Sequence, residues 1–94
     1  MKIGYARVST TDQNLDRQIA ALRAEGCDKI FREKASGKEL KGRPALDDAI
    51  DALGTGFVLV VAEWDRATRS MQDGLKLIQR IADRDATIKV LDKP

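Results

Sequence analysis

Phe57-Val58-Leu59-Val60-Val61-Ala62 is almost continuously apolar, with no alternation of polar and apolar positions. A strand with one wet face alternates, whereas a strand covered by helices on both faces does not. The run therefore predicts a central parallel strand. Parallel neighbours need long crossovers, usually helical, and the flanking segments supply them. Upstream, Pro44 to Leu53 reads as a helix with Leu46, Ile50 and Leu53 on one face, proline tolerated in its first turn and Gly54 ending it. Downstream, Ser70 is placed to cap a third helix, and Asp73 suits the positive end of that helix. Met71, Leu75, Ile78 and Ala82 recur at helical spacing and form its expected buried stripe. Thr87 to Leu91 then predicts a last strand, with Ile88 and Val90 on one side.

Further toward the amino terminus the pattern repeats. Lys2 to Val8 reads as a strand. Asn14 to Glu25 reads as a helix with Leu15, Ile19 and Leu22 on one face and Gly26 as its C-terminal cap, and Lys29 to Arg32 as a short strand. The order βαβαβαβ predicts an α/β domain of three layers, with a mainly parallel four-stranded sheet flanked by helices. The polar segment from Lys34 to Arg43 holds two glycines and is expected to be a mobile loop.

Composition narrows the chemistry. The 94 residues are expected to form one domain, 1–94, and no apolar run is long enough to cross a bilayer. Met1-Lys2-Ile3-Gly4 enters a strand with no signal-peptide hydrophobic region. A single cysteine, Cys27, makes no internal disulfide, which points to a reducing cytoplasm and to a small packing residue. A formal charge of +2 is too small to argue for nucleic acid by itself. The chain has no histidine, which removes Ser-His-Asp triads and most zinc sites, so a nucleophile must be activated by something other than imidazole.

Ligands of open parallel sheets bind beyond the carboxyl ends of the strands. The first strand runs into Arg7-Val8-Ser9, and the third into Asp65-Arg66 and Arg69. If those strands are neighbours, these side chains share one crevice. A serine hydroxyl facing several arginines suits attack on phosphorus, because planar guanidiniums meet the charge spread over the phosphoryl oxygens. Each residue also has a plain reading. Ser9 suits a turn, Asp65 with Arg66 and Arg69 a surface ion-pair cluster, and Arg43 a helix start. Gln13 and Gln18 suit a helix surface, Ser36-Gly37 an ordinary turn, and Asp47, Asp48 and Asp51 a solvated helix face. Tyr5 reads as sheet packing with its hydroxyl on water, and Trp64 as a lid over the strand end. Gly37 to Gly42 has phosphate-loop spacing, but Arg43-Pro44 follows where Lys-Ser/Thr is required, which rejects nucleotide binding there.

Taken together, these residues resemble one family. Gly4-Tyr5-Ala6-Arg7-Val8-Ser9-Thr10, Asp12-Gln13 and Gln18 are similar to the amino-terminal signature of the resolvase/invertase serine recombinases. The likeness continues through Lys34-Ala35-Ser36-Gly37, Arg43-Pro44-Ala45-Leu46 and Asp65-Arg66-Ala67-Thr68-Arg69-Ser70, in the family's order across the whole chain. It implies a resolvase-like catalytic domain acting on double-stranded DNA. Ser9 would be the nucleophile that forms a 5′-phosphoserine link and frees a 3′ hydroxyl. Arg7, Arg66 and Arg69 would gather around the scissile phosphate, joined by Arg43. Asp65 would orient an arginine or help move a proton, and Gln13, Gln18 and Ser36 would support.

The resemblance implies no metal, no cofactor and no membrane partner. It also implies a homodimer that pairs into a tetramer in the full-length protein. The family's long dimerising helix and helix-turn-helix module are expected to lie outside these residues. Trp64 and Ala67-Thr68 depart from the family's usual leucine and Leu-Gly, the segment from Ser36 to Arg43 is about one residue longer, and Ala52 stands where many relatives carry a basic residue. Two rival readings are an inactive recombinase core that serves as an interaction module, and a phosphoryl-transfer enzyme for a small molecule.

Overall fold

In the computed structural model, residues 1–8, 15–34, 44–64 and 70–92 are described. Seven elements follow the expected order: β1 (Lys2–Val8), α1 (Leu15–Ala24), β2 (Lys29–Lys34), α2 (Pro44–Asp51), β3 (Val58–Val61), α3 (Met71–Ala82) and β4 (Thr87–Val90). The sheet has strand order β2-β1-β3-β4, and every pairing is parallel. The expected mainly parallel sheet is thus all parallel among the described residues. β2 runs two residues further than expected, to Lys34, because β1 pairs with it along its length, from Ile3 opposite Lys29 to Val8 opposite Lys34.

The central apolar run does what its composition requires. Leu59 and Val61 point into one core cluster with Ile3, Tyr5, Leu46, Ile50, Leu77 and Ile81. Val60 and Ala62 point the other way, into a second cluster with Ala6, Ile19 and Leu22. Thus α2 and α3 cover one face, α1 covers the other, and β3 is buried from both sides. Burial of each large aliphatic side chain contributes roughly 1.5–3 kcal/mol. On the second helix Leu46 and Ile50 are buried as its spacing requires, and Leu53, two residues past its observed end at Asp51, is buried with them. Its acids stay on the wet side, where Asp47 pairs with Arg80 and Asp51 with Arg84, at 3.0 Å each.

Gly26 takes φ +91° at the end of α1, a conformation that side chains with a Cβ rarely adopt. Ser70 caps α3 as expected, its hydroxyl accepting the Asp73 amide at 3.1 Å.

The expected buried stripe of α3 is corrected. Met71 is 83% exposed, Leu75 62% and Ile78 44%, while Gly74, Leu77 and Ile81 are the buried positions. Ala82 is exposed as well. The helix carries two apolar rows about 100° apart at 3.6 residues per turn. Periodicity reports both rows. The crossover from β3 to β4 turns the Leu77 row onto the sheet.

Candidate active site at the carboxyl edge of the sheet

The two outer connections leave the sheet on opposite faces: β1 passes into α1 on one side, and β3 into α3 on the other. Between such strands an open α/β sheet has its topological switch point, with a crevice beyond the strand ends. β1 and β3 are direct neighbours here, with Lys2 opposite Val58 and Tyr5 opposite Val61. The condition set by the sequence, that the first and third strands be adjacent, is met. Ser9 follows β1 in the chain, and Asp65, Arg66 and Arg69 follow Trp64 beyond β3. These four residues, with Gln13, Ser36, Arg43 and the loop expected from Lys34 to Arg43, lie outside the described residues, apart from Lys34 at the end of β2. Arg7 and Gln18 are described.

Arg7 sits in the last turn of the pleat of β1, half-buried, and pairs in register with Glu33 of β2. Gln18 lies in the middle of the first helix, yet it is only 1% exposed. Its Nε2 donates to the Arg7 carbonyl at 3.1 Å, across the interface between α1 and the sheet. A polar side chain is buried at little cost only when its hydrogen bonds are made. Among the described residues no buried side-chain nitrogen or oxygen lacks a partner. The plain reading of Gln18 as a helix-surface residue is therefore overturned. The bond ties α1 to the end of β1, two residues before Ser9.

Tyr5, expected to bond water, and Glu33, which had no reading of its own, take part in the same edge. Tyr5 does not spend its hydroxyl on water: it donates to Glu33 Oε2. The other oxygen, Glu33 Oε1, accepts the backbone N–H of Ala45 at 3.2 Å, at the start of α2. Glu33 fell just past the strand expected from Lys29 to Arg32 and had no reading of its own. The one clue was its alternation with Phe31, which puts it on the core face. On the α1 side of the crevice, a cavity of about 240 Å³ is lined by Arg17, Gln18, Ala21, Ala62, Glu63, Leu91 and Asp92. The Arg17 guanidinium donates to Glu63 at its wall. The Trp64 amide donates to Asp92 at 3.3 Å, and its ring packs against the larger core cluster, as a lid residue should.

The opposite end of the sheet is held by charge. Glu25 accepts from Lys2 Nζ and Lys89 Nζ, both at 2.8 Å, and so joins α1 to β1 and β4. The Lys2 hydrogen bond, then that of Lys89, holds the Glu25 carboxyl down at about 2. Lys2 is raised in return, chiefly by the same bond. Cys27 packs at the edge of the smaller cluster, and burial pushes its thiol up, which disfavours the reactive thiolate. Among the described residues no group of acids, cysteine or histidine is arranged to hold a metal ion, and no helix is long and apolar enough to cross a membrane.

The α/β order and the four-stranded parallel sheet are those expected of a resolvase-like domain. Residues 2–94 match the family model described as Resolvase, N terminal domain. The chain belongs to the resolvase family. It is 42% identical over 93 residues to the integrase-like protein y4lS of Sinorhizobium fredii, covering 99% of this chain and 51% of that protein. It is 43% identical over 91 residues to the DNA-invertase of Enterobacteria phage P7, covering 97% of this chain and 48% of the relative. It is also 43% identical over 93 residues to the transposon Tn552 resolvase of Staphylococcus aureus, covering 99% of this chain and 47% of the relative. This resolvase-family chain thus spans about half the length of the curated relatives it matches.

Proposed function

We propose that this resolvase-family domain cuts and rejoins double-stranded DNA at specific sites, with Ser9 as nucleophile. The adjacency of β1 and β3 carries the reading, because it brings the end of the strand that leads to Ser9 beside the end of the strand that leads to Asp65, Arg66 and Arg69. In the proposed step the Ser9 oxygen forms a bond to the scissile phosphorus, and the bond from phosphorus to the 3′ oxygen breaks. The serine proton is lost and a proton is taken up by the departing 3′ oxygen, so the products are a 5′-phosphoserine ester and a 3′ hydroxyl. Attack by a 3′ hydroxyl on that ester reverses the exchange and frees Ser9. One phosphoester replaces another at each stage, so no external energy source is required.

Arg7, Arg66, Arg69 and Arg43 are assigned to the phosphoryl oxygens. Donors aimed at charge that develops in the transition state are worth about 10²–10³ in rate each. Asp65 is assigned to orienting an arginine or carrying a proton. Gln13, Gln18 and Ser36 are assigned to support, and for Gln18 the hydrogen bond to the Arg7 carbonyl favours that assignment. The active protein is assigned, from the family resemblance alone, as a homodimer that pairs into a tetramer. The domain spans residues 1–94 and works in the cytoplasm without metal or cofactor.

The test is covalent trapping on a nicked recombination site, with the domain joined to a relative's dimerising and DNA-reading segments. The nick lets the cut fragment diffuse away. Protein attached to the 5′ end on a denaturing gel, and lost in Ser9→Ala, is the expected result. Site binding without any adduct would favour the inactive interaction module. Turnover of a small phosphate ester without DNA would favour the third reading.

A further inference from the structure

The α1 face of the sheet is only partly covered. Helix α1 packs over β1 and β3, and beside it, toward β2, runs an open groove of about 310 Å³. Its walls follow from two periodicities. Ile19 and Arg23 lie one turn apart on α1, and Asp28, Ile30 and Arg32 alternate onto one face along β2 and its entry. Buried Ile19 and half-buried Cys27 and Ile30 make an apolar floor, with the exposed side chains of Arg23 and Arg32 on the rim.

Charge sets this groove apart. Lys2, Arg17, Arg80, Arg84 and Lys89 each hold a carboxylate. Arg23 and Arg32 hold none among the described residues, and the acid beside them, Asp28, accepts the backbone N–H of Lys2 at 2.9 Å. β2 is also the outermost strand: β1 pairs with one side of it, and no described strand with the other. An open strand edge takes an extended segment through main-chain hydrogen bonds, while alternate side chains of that segment fill the pockets beside it. The edge of a second copy is disfavoured, because Lys29 and Arg32 would meet their own kind. A phosphate backbone would use the arginines and leave the apolar floor wet.

We propose that the groove between α1 and β2 is a docking site for an extended acidic segment of a partner protein, laid beside β2 with carboxylates on Arg23 and Arg32 and an apolar side chain between them. At about 3.3 Å per residue, the wall from Asp28 to Arg32 spans about 13 Å, so the segment reads acidic, any, apolar, any, acidic. The proposal stands apart from the recombinase reading, since it uses neither Ser9 nor the arginines assigned to the crevice.

The experiment uses the full-length protein that carries this domain. Its probe is a fluorescent peptide, Glu-Thr-Val-Thr-Glu, with Lys-Thr-Val-Thr-Lys as the charge-reversed control. Binding is read by anisotropy, and occupation of the groove by protection of Cys27 from alkylation, followed by mass spectrometry. Saturable binding that protects Cys27 is expected for the wild type. Arg23→Glu combined with Arg32→Glu is expected to weaken binding by about tenfold or more, and to take the lysine peptide instead. Arg32→Ala, which removes a charge without reversing it, is expected to move affinity in the same direction by less, with an unchanged melting curve. Lys76→Glu, at an exposed position of α3, is expected to leave binding as it was. No saturable binding to the wild type overturns the proposal, as does binding that survives the double reversal. An equal loss in Lys76→Glu overturns it too, since that is general attraction. Duplex DNA that displaces the peptide, protects Cys27 and fails to do so in the double variant would make this a DNA surface and overturn the peptide partner.

Discussion

At the amino end of the sheet Glu25 accepts from two ammonium groups, those of Lys2 and Lys89, whereas at the carboxyl end Glu33 accepts from a phenol and a backbone amide. The first carboxylate meets opposite charge on partly exposed side chains, and the second meets neutral, directional donors in the interior edge. Ion pairs of the first kind are tolerant of geometry and weakened by water. Hydrogen bonds of the second kind fix where backbone segments lie, and their loss strands buried polar atoms. Gln18 follows the second pattern, reaching a backbone carbonyl rather than a charge. The end that faces the proposed chemistry is thus built for position, and the far end for neutralising charge.

The sharpest way to break that contrast is Gln18→Leu, which keeps volume but removes the donor to the Arg7 carbonyl. It is expected to cost about 1–3 kcal/mol in denaturant unfolding. It should also slow adduct formation more than its stability loss explains. A stability change below that range would mean that the buried carboxamide contributes little, and the contrast between the ends would fail.

Packing at the amino end gives the next largest effect. A Cβ on Gly4 would lie 3.2 Å from Cys27 Sγ, 3.2 Å from Leu22 Cδ1 and 3.3 Å from Ile30 Cγ1. Gly4→Ala is expected to cost about 1–3 kcal/mol through overpacking, with adduct formation spared once the protein is folded. A specific loss of cleavage would show that the two ends are not separable.

Glu25 gives a pH signature. Its carboxyl falls from an ordinary value of 4.5 to about 2 on folding, so the unfolded chain binds the proton more readily. Its contribution is present above pH 4.5 and is lost as the pH falls from there toward 2. Glu25→Gln should flatten that part of the stability curve against pH, and salt should shrink the difference between the two proteins. Unchanged curves would remove the electrostatic account of this end.

The smallest effect is expected for Arg84→Ala. Its partner Asp51 is 67% exposed, and removing such a pair changes unfolding by less than about 1 kcal/mol. A larger loss would show that charge pairs on this molecule fix positions after all.

Much of the fold was legible because its signals are local. The apolar run at Phe57 to Ala62 needs only its own composition to declare burial on both faces, and Gly26 needs only its place after the helical run to declare a cap, which its φ of +91° bears out. The sheet edge was less legible. Ser9, Arg7 and the Asp65 to Arg69 segment were proposed from motif, and Gln18 from resemblance alone, since a glutamine at a helical position reads as solvent-facing until the sheet is placed beneath it. The bonds that Glu33 makes to Ala45 and Tyr5 left almost no signal, because the groups they join are 12 and 28 residues apart in sequence.

Sequence by itself determined the element order, the parallel sheet and membership of the resolvase family, since periodicity, apolar runs and spaced motifs are written along the chain. Tertiary structure alone decided three matters. It chose the Leu77 row of α3 over the Met71 row for burial, it buried Gln18 against the Arg7 carbonyl, and it set Glu33 on the Ala45 amide of a helix that begins at Pro44. The physical reason is common to all three. A helix offers several faces and several unmet hydrogen bonds, and only the partner that packs against it selects which are used.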